Sequence, residues 1–298
     1  MQAFAPIALF VYNRPEHTRR TLKFLQQNRL AEESRLFIFS DAAKTPGQAG
    51  QVAEVRELIR TAEGFRSVEI IERDGNLGLA ASVIDGVTRL VNEYGKVIVF
   101  EDDLISSPHT LQYFNDALDR YREEPRVMHI GAYMYPLPKG LPETFFYRAA
   151  TSWGWATWKR AWDHFEPDID VLMSRFDKKS IHEFSIGGSM DFWRQMKQFK
   201  AGKNNSWAIR WYASVFLKKG LTLNPSQSLI NNIGHDNTGV HSGLNDMYQV
   251  SVRQSRITRF PAVIQEDIRA YQAIRHFLKN RKGSWVKRII RFVRQRMN

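Results

Sequence analysis

Short apolar segments alternate with amphipathic segments through the first hundred residues, and this alternation constrains the fold more than any other feature of the sequence. The apolar segments, which predict β-strands, are residues 6–12, 35–40, 67–71 and 96–100. Helical spacing of the apolar side chains predicts helices over residues 16–27, 48–61 and 79–92. Strands and helices that alternate in this way form right-handed crossovers, so the sequence predicts an α/β fold with a mostly parallel sheet flanked by helices.

Polar residues follow three of the four predicted strands. Asn13 and Arg14 follow the first strand, Asp41 follows the second, and the acidic residues 101–103 follow the fourth. A Gly/Asn-rich turn around Asn76 leads into the third helix; it either presents backbone N–H groups to a ligand or serves as an ordinary cap. Because ligands of parallel sheets bind beyond the carboxyl ends of the strands, these residues are the first candidates for a binding site.

The acidic run Glu101-Asp102-Asp103 has three interpretations. The carboxylates hold a divalent cation against a diphosphate, or they act as the acid and base of glycoside hydrolysis, or they form a solvated loop cluster. Adjacent side chains on an extended segment point to opposite sides, which suits a cation and its ligand better than hydrolysis. The dinucleotide fingerprint and the P-loop pattern are both missing from the sequence, and the lack of cysteine excludes disulfides and thiolate chemistry.

Four motifs in sequence order resemble the GT-A class of nucleotide-sugar glycosyltransferases: Y-N-R-P after the first strand, S-D after the second, G-N-L-G before the third helix, and V-I-V-F-E-D-D. The last motif, continued as L-I-S-S-P-H-T-L-Q-Y-F, is similar to a segment of the N-acetylglucosaminyltransferases that build the first antennal branch of N-glycans. The block F-Y-R-A-A-T-S-W-G-W-A-T-W-K-R-A-W resembles the G-x-G-W block of that family. The resemblance covers residues 5–245 and implies a GT-A, Rossmann-like fold, as in bacterial surface-polysaccharide glycosyltransferases.

The resemblance also implies roles for individual residues near the strand ends. Asp103 matches the last acid of the family motif and would be the direct ligand of Mn²⁺ or Mg²⁺. Glu101 and Asp102 would contact the donor sugar and the ribose. Asp41 would accept a hydrogen bond from the edge of uracil, and Arg14 would face the nucleotide phosphates, which suit its forked and permanently charged guanidinium.

A glycine-flanked segment in the second half, residues 231–243, resembles the loop that closes over the bound donor in the family and excludes water. Under this interpretation His235 and His241 bind phosphate or complete the metal shell. Ordinary surface histidines are the alternative for both positions.

The expected catalytic base is missing from its family position. An inverting transfer requires a carboxylate that takes the proton of the acceptor hydroxyl. The related enzymes carry this acid in a W-D-x-W block, whereas the matching position in S-W-A-I-R-W is Ala208. We therefore expect another acid to serve, with Asp191 as the first candidate and Asp236 as the second; an ordinary helix or turn acid is the alternative for each.

Four tryptophans lie close together in the sequence, and their spacing divides them into two groups. Trp155, Trp158 and Trp162 have i, i+3, i+7 spacing, which favours a core position on a helix for Trp158 and Trp162. Trp153 and Trp155 flank a glycine and are candidates for stacking against the acceptor sugar.

Positive charge is concentrated at the C-terminus. The formal net charge of the 298 residues is +12, and residues 268–298 contain ten Lys and Arg and no acid. Apolar and basic side chains of residues 285–297 fall on opposite sides of a helix, which predicts contact with an anionic membrane surface; packing on the domain is the alternative. The N-terminus lacks a signal pattern and no apolar run is long enough to span a membrane, so we expect a cytoplasmic protein at the inner membrane face. Without a recognisable binding module, we expect no nucleic-acid partner.

These features together predict a metal-dependent, inverting hexosyltransferase that uses a nucleoside-diphosphate sugar, UDP-linked as in UDP-GlcNAc. We expect a saccharide or lipid-linked acceptor in surface polysaccharide or lipopolysaccharide synthesis. The nucleotide-sugar half is assigned to residues 1–125, the acceptor and closing-loop half to 126–262, and the basic tail to 263–298. A sugar nucleotidyltransferase, which needs a glycine-rich triphosphate loop, and a non-catalytic basic binding protein are the alternatives.

Overall fold

A computed structural model describes residues 4–234 and 248–280 of the chain. Its strands are β1 (Ile7–Val11), β2 (Arg35–Ser40), β3 (Ser67–Glu72), β4 (Lys96–Glu101), β5 (Leu104–Ser106), β6 (Val127–Gly131), β7 (Thr144–Tyr147), β8 (Trp155–Trp158), β9 (Leu221–Pro225) and β10 (Ile230–Asn232). Its helices are α1 (Pro15–Gln26), α2 (Ala49–Arg60), α3 (Leu79–Tyr94), α4 (Thr110–Arg120), α5 (Lys159–Trp162), α6 (Ile169–Ser174), α7 (Lys178–Phe184), α8 (Phe192–Lys200), α9 (Trp207–Leu217) and α10 (Ile268–Asn280).

Within the described residues, eight strands form one sheet in the order β3-β2-β1-β4-β8-β6-β9-β7. Strands β3, β2, β1 and β4 are parallel to one another. Strand β8 is antiparallel to both β4 and β6, so β6 runs in the same direction as β4, and β9 is parallel to β6. The carboxyl ends of β1, β2, β4, β6 and β9 therefore meet at one edge, which we call the carboxyl edge. The predicted α/β fold with a mostly parallel, helix-flanked sheet is confirmed.

Alternate residues of the central strands contribute to two different hydrophobic cores. Ile7 and Leu9 of β1 belong to a cluster with α1, α2 and α4, whereas Ala8 and Phe10 belong to a cluster with α3 and α9. Helix α3 packs closely on its face of the sheet because Gly86 has no side chain; a Cβ there would lie 2.8 Å from the ring of Phe10. Since helices cover both faces, these strands consist of continuous apolar residues.

The boundaries of the first elements differ little from those predicted. Helix α1 begins at Pro15, as expected for a proline, because its fixed φ suits the first helical position. A short 3-10 turn, Pro46–Gln48, precedes α2. Strand β4 continues to Glu101, so the first acid of the acidic run belongs to the strand itself.

The segment that starts at Trp155 is a strand followed by a short helix, so the single helix predicted from the spacing of the tryptophans is wrong. Trp155 is fully buried in β8, and its ring stacks on those of His129 and Trp207. Its assignment to the acceptor side is therefore also wrong, because a sugar has no access to this ring. The predicted core positions of Trp158 and Trp162 are confirmed by their burial.

Part of the C-terminal region packs on the domain. Helix α10 buries Ala270, Ile274 and Leu278 in a third hydrophobic cluster, which it shares with α6 to α9 and β7. The amphipathic segment that predicts membrane contact, residues 285–297, lies outside the described residues. Among the residues that the structure describes, every helix is too short or too polar to cross a bilayer.

Candidate functional site

The acidic run lies at the carboxyl edge, in a tight connection between β4 and β5. Glu101 ends β4, and Asp102 and Asp103 form the turn that leads into β5. Thr21 of α1 fixes this turn: its hydroxyl donates to the carbonyl oxygen of Asp102 at 2.7 Å and accepts from the backbone N–H of Leu104 at 3.1 Å. The turn is thus anchored to the first helix by a buried side chain that makes both hydrogen bonds.

Arg14 supplies the positive charge among these acids. Its guanidinium makes an ion pair with Asp102 through Nη2, and its Nε donates to the other carboxylate oxygen of Asp102 at 3.4 Å. The same Nη2 donates to Oδ2 of Asp103 at 3.0 Å. The backbone forms a turn at this point instead of an extended segment, so the two adjacent carboxylates contact the same guanidinium, that of Arg14. The expectation that they point to opposite sides is wrong.

Burial and mutual repulsion raise the pKa values of two of these acids. Burial, followed by the charges of Asp103 and Asp102, raises the pKa of Glu101 to about 8, although Arg14 opposes the shift. Burial also raises the pKa of Asp102 to about 6, against the opposing effect of the Arg14 charge. Burial lowers the pKa of Arg14, but the two carboxylates outweigh it and raise that pKa above its ordinary value. The site therefore holds more negative charge than its one guanidinium neutralises.

The segment after β10 packs directly on Asp103. The backbone N–H of Ile233 donates to the Asp103 carbonyl at 2.9 Å, and the side-chain amide of Asn232 lies 3.3 Å from the Asp103 carboxylate. A Cβ at Gly234 would overlap Oδ2 of Asp103 and would lie 3.0 Å from Nη1 of Arg14, so this position requires glycine. Three of the first four residues of the predicted closing loop, Asn232 to Gly234, therefore contact the acidic turn.

Asp41 holds the Gly/Asn-rich turn in place. Its carboxylate accepts hydrogen bonds from the backbone N–H groups of Leu77 at 2.9 Å and Gly78 at 2.8 Å. It also accepts from the side-chain amide of Asn76 at 3.1 Å and from the N–H of Ala42 at 3.0 Å. A carboxylate has about four acceptor positions, so the protein itself uses most of this capacity. Recognition of a base by Asp41 stays a prediction.

The two candidate catalytic bases, Asp191 and Asp236, lie far from the acidic turn in sequence, and Asp191 is the one within the described residues. Asp191 is an exposed N-cap residue of α8, where its carboxylate accepts from the N–H of Arg194 at 2.9 Å. Its role as a base stays a prediction. Asp236, His235 and His241 lie outside the described residues.

Trp153 is a partly exposed member of an aromatic cluster near the carboxyl edge. Trp153 is half-buried, and its ring lies edge-on to Tyr133, with ring centroids 4.5 Å apart, and near Tyr248 at 6.1 Å. Its exposed surface keeps Trp153 as a candidate for stacking on a sugar, in contrast to Trp155.

Thr21 and Asn232 were not recognised from the sequence as site residues. For Thr21 a signal exists: Thr18, Thr21, Leu22 and Leu25 lie on one face of α1, and two threonines on an otherwise apolar face indicate buried hydrogen-bond partners. Asn232 lies within the segment that resembles a closing loop, but its contact with Asp103 joins residues 129 positions apart in the sequence. No local pattern predicts such a contact.

A divalent cation fits this site under one condition. Within the described residues, three or more acidic or histidine side chains nowhere converge as a complete metal site. Cations that bridge diphosphates, however, are commonly held by one or two carboxylates together with phosphate oxygens, and Asp102 and Asp103 offer two such carboxylates. Arg14 binds both carboxylates in this structure, so the cation fits only if the guanidinium moves away.

No protein-family model and no curated protein sequence matches this chain. Solved structures match it in part. Residues 1–349 of S. aureus TarS, a glycosyltransferase, are 11% identical with a TM-score of 0.44, and the match covers 76% of this chain and 59% of that one. The mannosyltransferase PcManGT from Pyrobaculum calidifontis, in complex with GDP-Man and Mn²⁺, is 12% identical with a TM-score of 0.36, over 72% and 70% of the two chains.

A third match is a putative nucleotide-diphospho-sugar transferase from Desulfovibrio desulfuricans G20, which is 12% identical with a TM-score of 0.35 over 55% of this chain and 66% of that one. All three TM-scores are below 0.5, and this chain spans 59% of the length of TarS 1–349.

Proposed function

We propose that this protein is a GT-A glycosyltransferase that transfers a sugar from a nucleoside-diphosphate donor, UDP-linked as in UDP-GlcNAc, with inversion at the anomeric carbon. The observation that carries the proposal is the convergence of Arg14, Asp102 and Asp103 at the carboxyl edge, where parallel sheets bind ligands. The buried acids carry more negative charge than Arg14 neutralises, so the site would attract a divalent cation, and that cation would in turn attract a diphosphate.

Each residue of the site has a task in this proposal. A bound Mn²⁺ or Mg²⁺ supplies charge neutralisation of the donor diphosphate and of the leaving nucleotide. Asp103, assisted by Asp102, would hold that ion, and Arg14 would donate its forked N–H groups to the phosphates. Glu101, held at a raised pKa beside the turn, would contact the donor sugar. The turn that Asp41 holds, which includes Asn76, would contact the nucleoside.

The acceptor hydroxyl would attack the anomeric carbon of the donor from the face opposite the leaving diphosphate, and this step requires a base that takes the proton of the hydroxyl. Asp191 and, in the segment outside the described residues, Asp236 are the proposed bases that take the proton of the acceptor hydroxyl. Residues 231–243, including His241, would close over the donor and exclude water. We further propose a saccharide or lipid-linked acceptor at a membrane surface, which the basic C-terminal residues would contact.

Calorimetric titration of UDP tests this proposal. We expect binding in the presence of Mn²⁺, loss of binding with EDTA, and loss of binding in Asp103→Ala. Asp163→Ala is the matched control, because Asp163 pairs with Lys159 on the surface beyond the far end of β8 and its removal should leave UDP affinity unchanged. If UDP, GDP and CMP all fail to bind under every condition, the proposal is wrong.

A further inference from the structure

We infer that Arg14 couples cation binding to diphosphate binding, so that neither ligand binds tightly without the other. The inference rests on the proposed function and concerns the same site. It starts from one observation: the guanidinium that the proposal assigns to the phosphates is bound in this structure to the two carboxylates that the proposal assigns to the cation.

Arg14 and a divalent cation compete for the same oxygens. Asp102 is 4% exposed and Asp103 is 8% exposed, so an unpaired charge on either is costly and each needs a positive partner at all times. The guanidinium contacts both carboxylates, and Gly234 closes one side of the space around Oδ2 of Asp103. A cation that binds the acidic turn therefore displaces Arg14, and the cost of breaking this buried ion pair weakens binding of the cation alone.

The displaced guanidinium needs a new anionic partner. Arginine cannot lose its charge at accessible pH, and its fork matches phosphate oxygens as well as it matches carboxylates. A diphosphate that binds with the cation provides such a partner beside the turn, because Arg14 lies only one residue before α1 and its side chain already reaches the site. The diphosphate thus recovers the ion pair that the cation breaks.

The nucleotide, in turn, binds weakly without the cation. A diphosphate that binds alone must either leave Arg14 on the acids and gain little from it, or withdraw Arg14 and leave two buried carboxylates beside its own negative charge. Both alternatives weaken binding of the nucleotide without a cation. Since coupling between two ligands is reciprocal, each should increase the affinity of the other by the same factor.

The test measures a thermodynamic cycle rather than activity. Calorimetry with UDP alone, Mn²⁺ alone and each in the presence of the other gives the coupling factor, which we expect to be roughly 10-fold to 100-fold in the wild-type protein. In Arg14→Gln, Mn²⁺ alone should bind about tenfold more tightly and the coupling factor should fall about tenfold. Only the direct attraction between cation and phosphate then remains.

Two further variants make the test robust. Arg14→Lys keeps the charge that stabilises the buried acids but has no fork, so it should fold and show intermediate values for both quantities. Arg35→Gln removes one positive charge from the exposed amino end of β2, at the opposite edge of the sheet, and should leave the cycle unchanged. Thermal unfolding of each variant confirms that it is folded before titration.

The outcomes distinguish the inference from the proposed function. A coupling factor that Arg14→Gln and Arg14→Lys leave unchanged overturns the inference while the proposed function stands. UDP affinity that is equal with and without Mn²⁺ overturns both the inference and the metal dependence of the proposed function. If neither UDP nor GDP binds the wild-type protein in any combination with Mn²⁺, both the inference and the proposed function are wrong.

Discussion

Asp41→Ala should loosen the Gly/Asn-rich turn and weaken nucleotide binding without unfolding the protein. In the wild-type structure the carboxylate accepts four hydrogen bonds, two of them from the backbone N–H groups of Leu77 and Gly78 at 2.9 and 2.8 Å. These two groups are partly buried and lie at the start of α3. The substitution leaves them without their charged acceptor.

The magnitude follows from the number and environment of the bonds lost. A hydrogen bond to a charged group contributes about 1.5–3 kcal/mol when it is well shielded, and less where water replaces it. Asn76 keeps its second hydrogen bond, to the carbonyl of Ala42 at 2.7 Å, and the bond from Ala42 joins adjacent residues, so we count only the bonds from Leu77 and Gly78 at about 1–1.5 kcal/mol each. The free energy of unfolding should therefore fall by about 2–3 kcal/mol.

Urea denaturation followed by circular dichroism measures this loss, and UDP calorimetry measures the accompanying loss of affinity. Asp74→Ala is the matched control, since Asp74 is an exposed acid in the same turn. Asp41→Asn should recover little, because its amide presents donors to groups that are themselves donors. A change in unfolding free energy below about 0.5 kcal/mol for Asp41→Ala would show that its carboxylate does not hold the turn in place.

Three other predictions concern the site and the packing beneath it. Gly234→Ala should reduce UDP and Mn²⁺ affinity at least about tenfold, because its Cβ would lie 3.0 Å from Nη1 of Arg14 and closer still to the acidic turn. Gly86→Ala should lower the free energy of unfolding by about 1–3 kcal/mol, because its Cβ would lie 2.8 Å from the ring of Phe10. Burial lowers the pKa of His129 from 6.5 to about 3. Between these two pH values the imidazole is protonated in the unfolded chain but neutral in the folded chain. As the pH falls from about 6 to about 3, this residue should lower the free energy of unfolding by about 1.4 kcal/mol per pH unit. Urea denaturation of His129→Gln should lack this part of the pH dependence.

These predictions have separate controls. Gly50→Ala, at an exposed position of α2, should leave both stability and ligand affinity within error of wild type, or slightly raise stability. Wild-type affinity in Gly234→Ala, or wild-type stability in Gly86→Ala, would contradict the close contacts described. A pH dependence of stability that is identical in His129→Gln and wild type would contradict the assignment to His129.

The first half of the fold was predictable because its signals are local. Strands β1 to β4 are apolar runs separated by helices with regular spacing, and the acidic run at the end of β4 was expected to lie at the ligand-binding edge of the sheet. The order of the remaining strands was not predictable, since β8 inserts between β4 and β6 by pairing residues such as Lys96 and Trp158 that are far apart in sequence.

The site was predictable as a set of residues but not as a set of contacts. Arg14 and the acids were selected because they follow strands, yet nothing in the sequence indicates that one guanidinium contacts both Asp102 and Asp103. That contact depends on the backbone turn after β4, whereas the sequence was interpreted as an extended segment at these residues. The helix predicted from the spacing of Trp155 and Trp158 failed for a related reason, because both residues belong to a strand. The acceptor-side assignment of Trp155 rested on the neighbouring glycine alone, which does not indicate that β8 lies in the middle of the sheet.

Release of free UDP from a panel of UDP-sugars, including UDP-GlcNAc, decides whether this protein is a metal-dependent sugar transferase. The assay compares the wild-type protein with Asp103→Asn, each with Mn²⁺ and with EDTA. The wild-type protein with Mn²⁺ should release UDP from at least one of these donors. EDTA and Asp103→Asn should each abolish the release while Asp163→Asn retains it. Release that is unaffected by both EDTA and Asp103→Asn, or a complete lack of release and of binding for UDP-, GDP- and CMP-linked donors, would contradict the account.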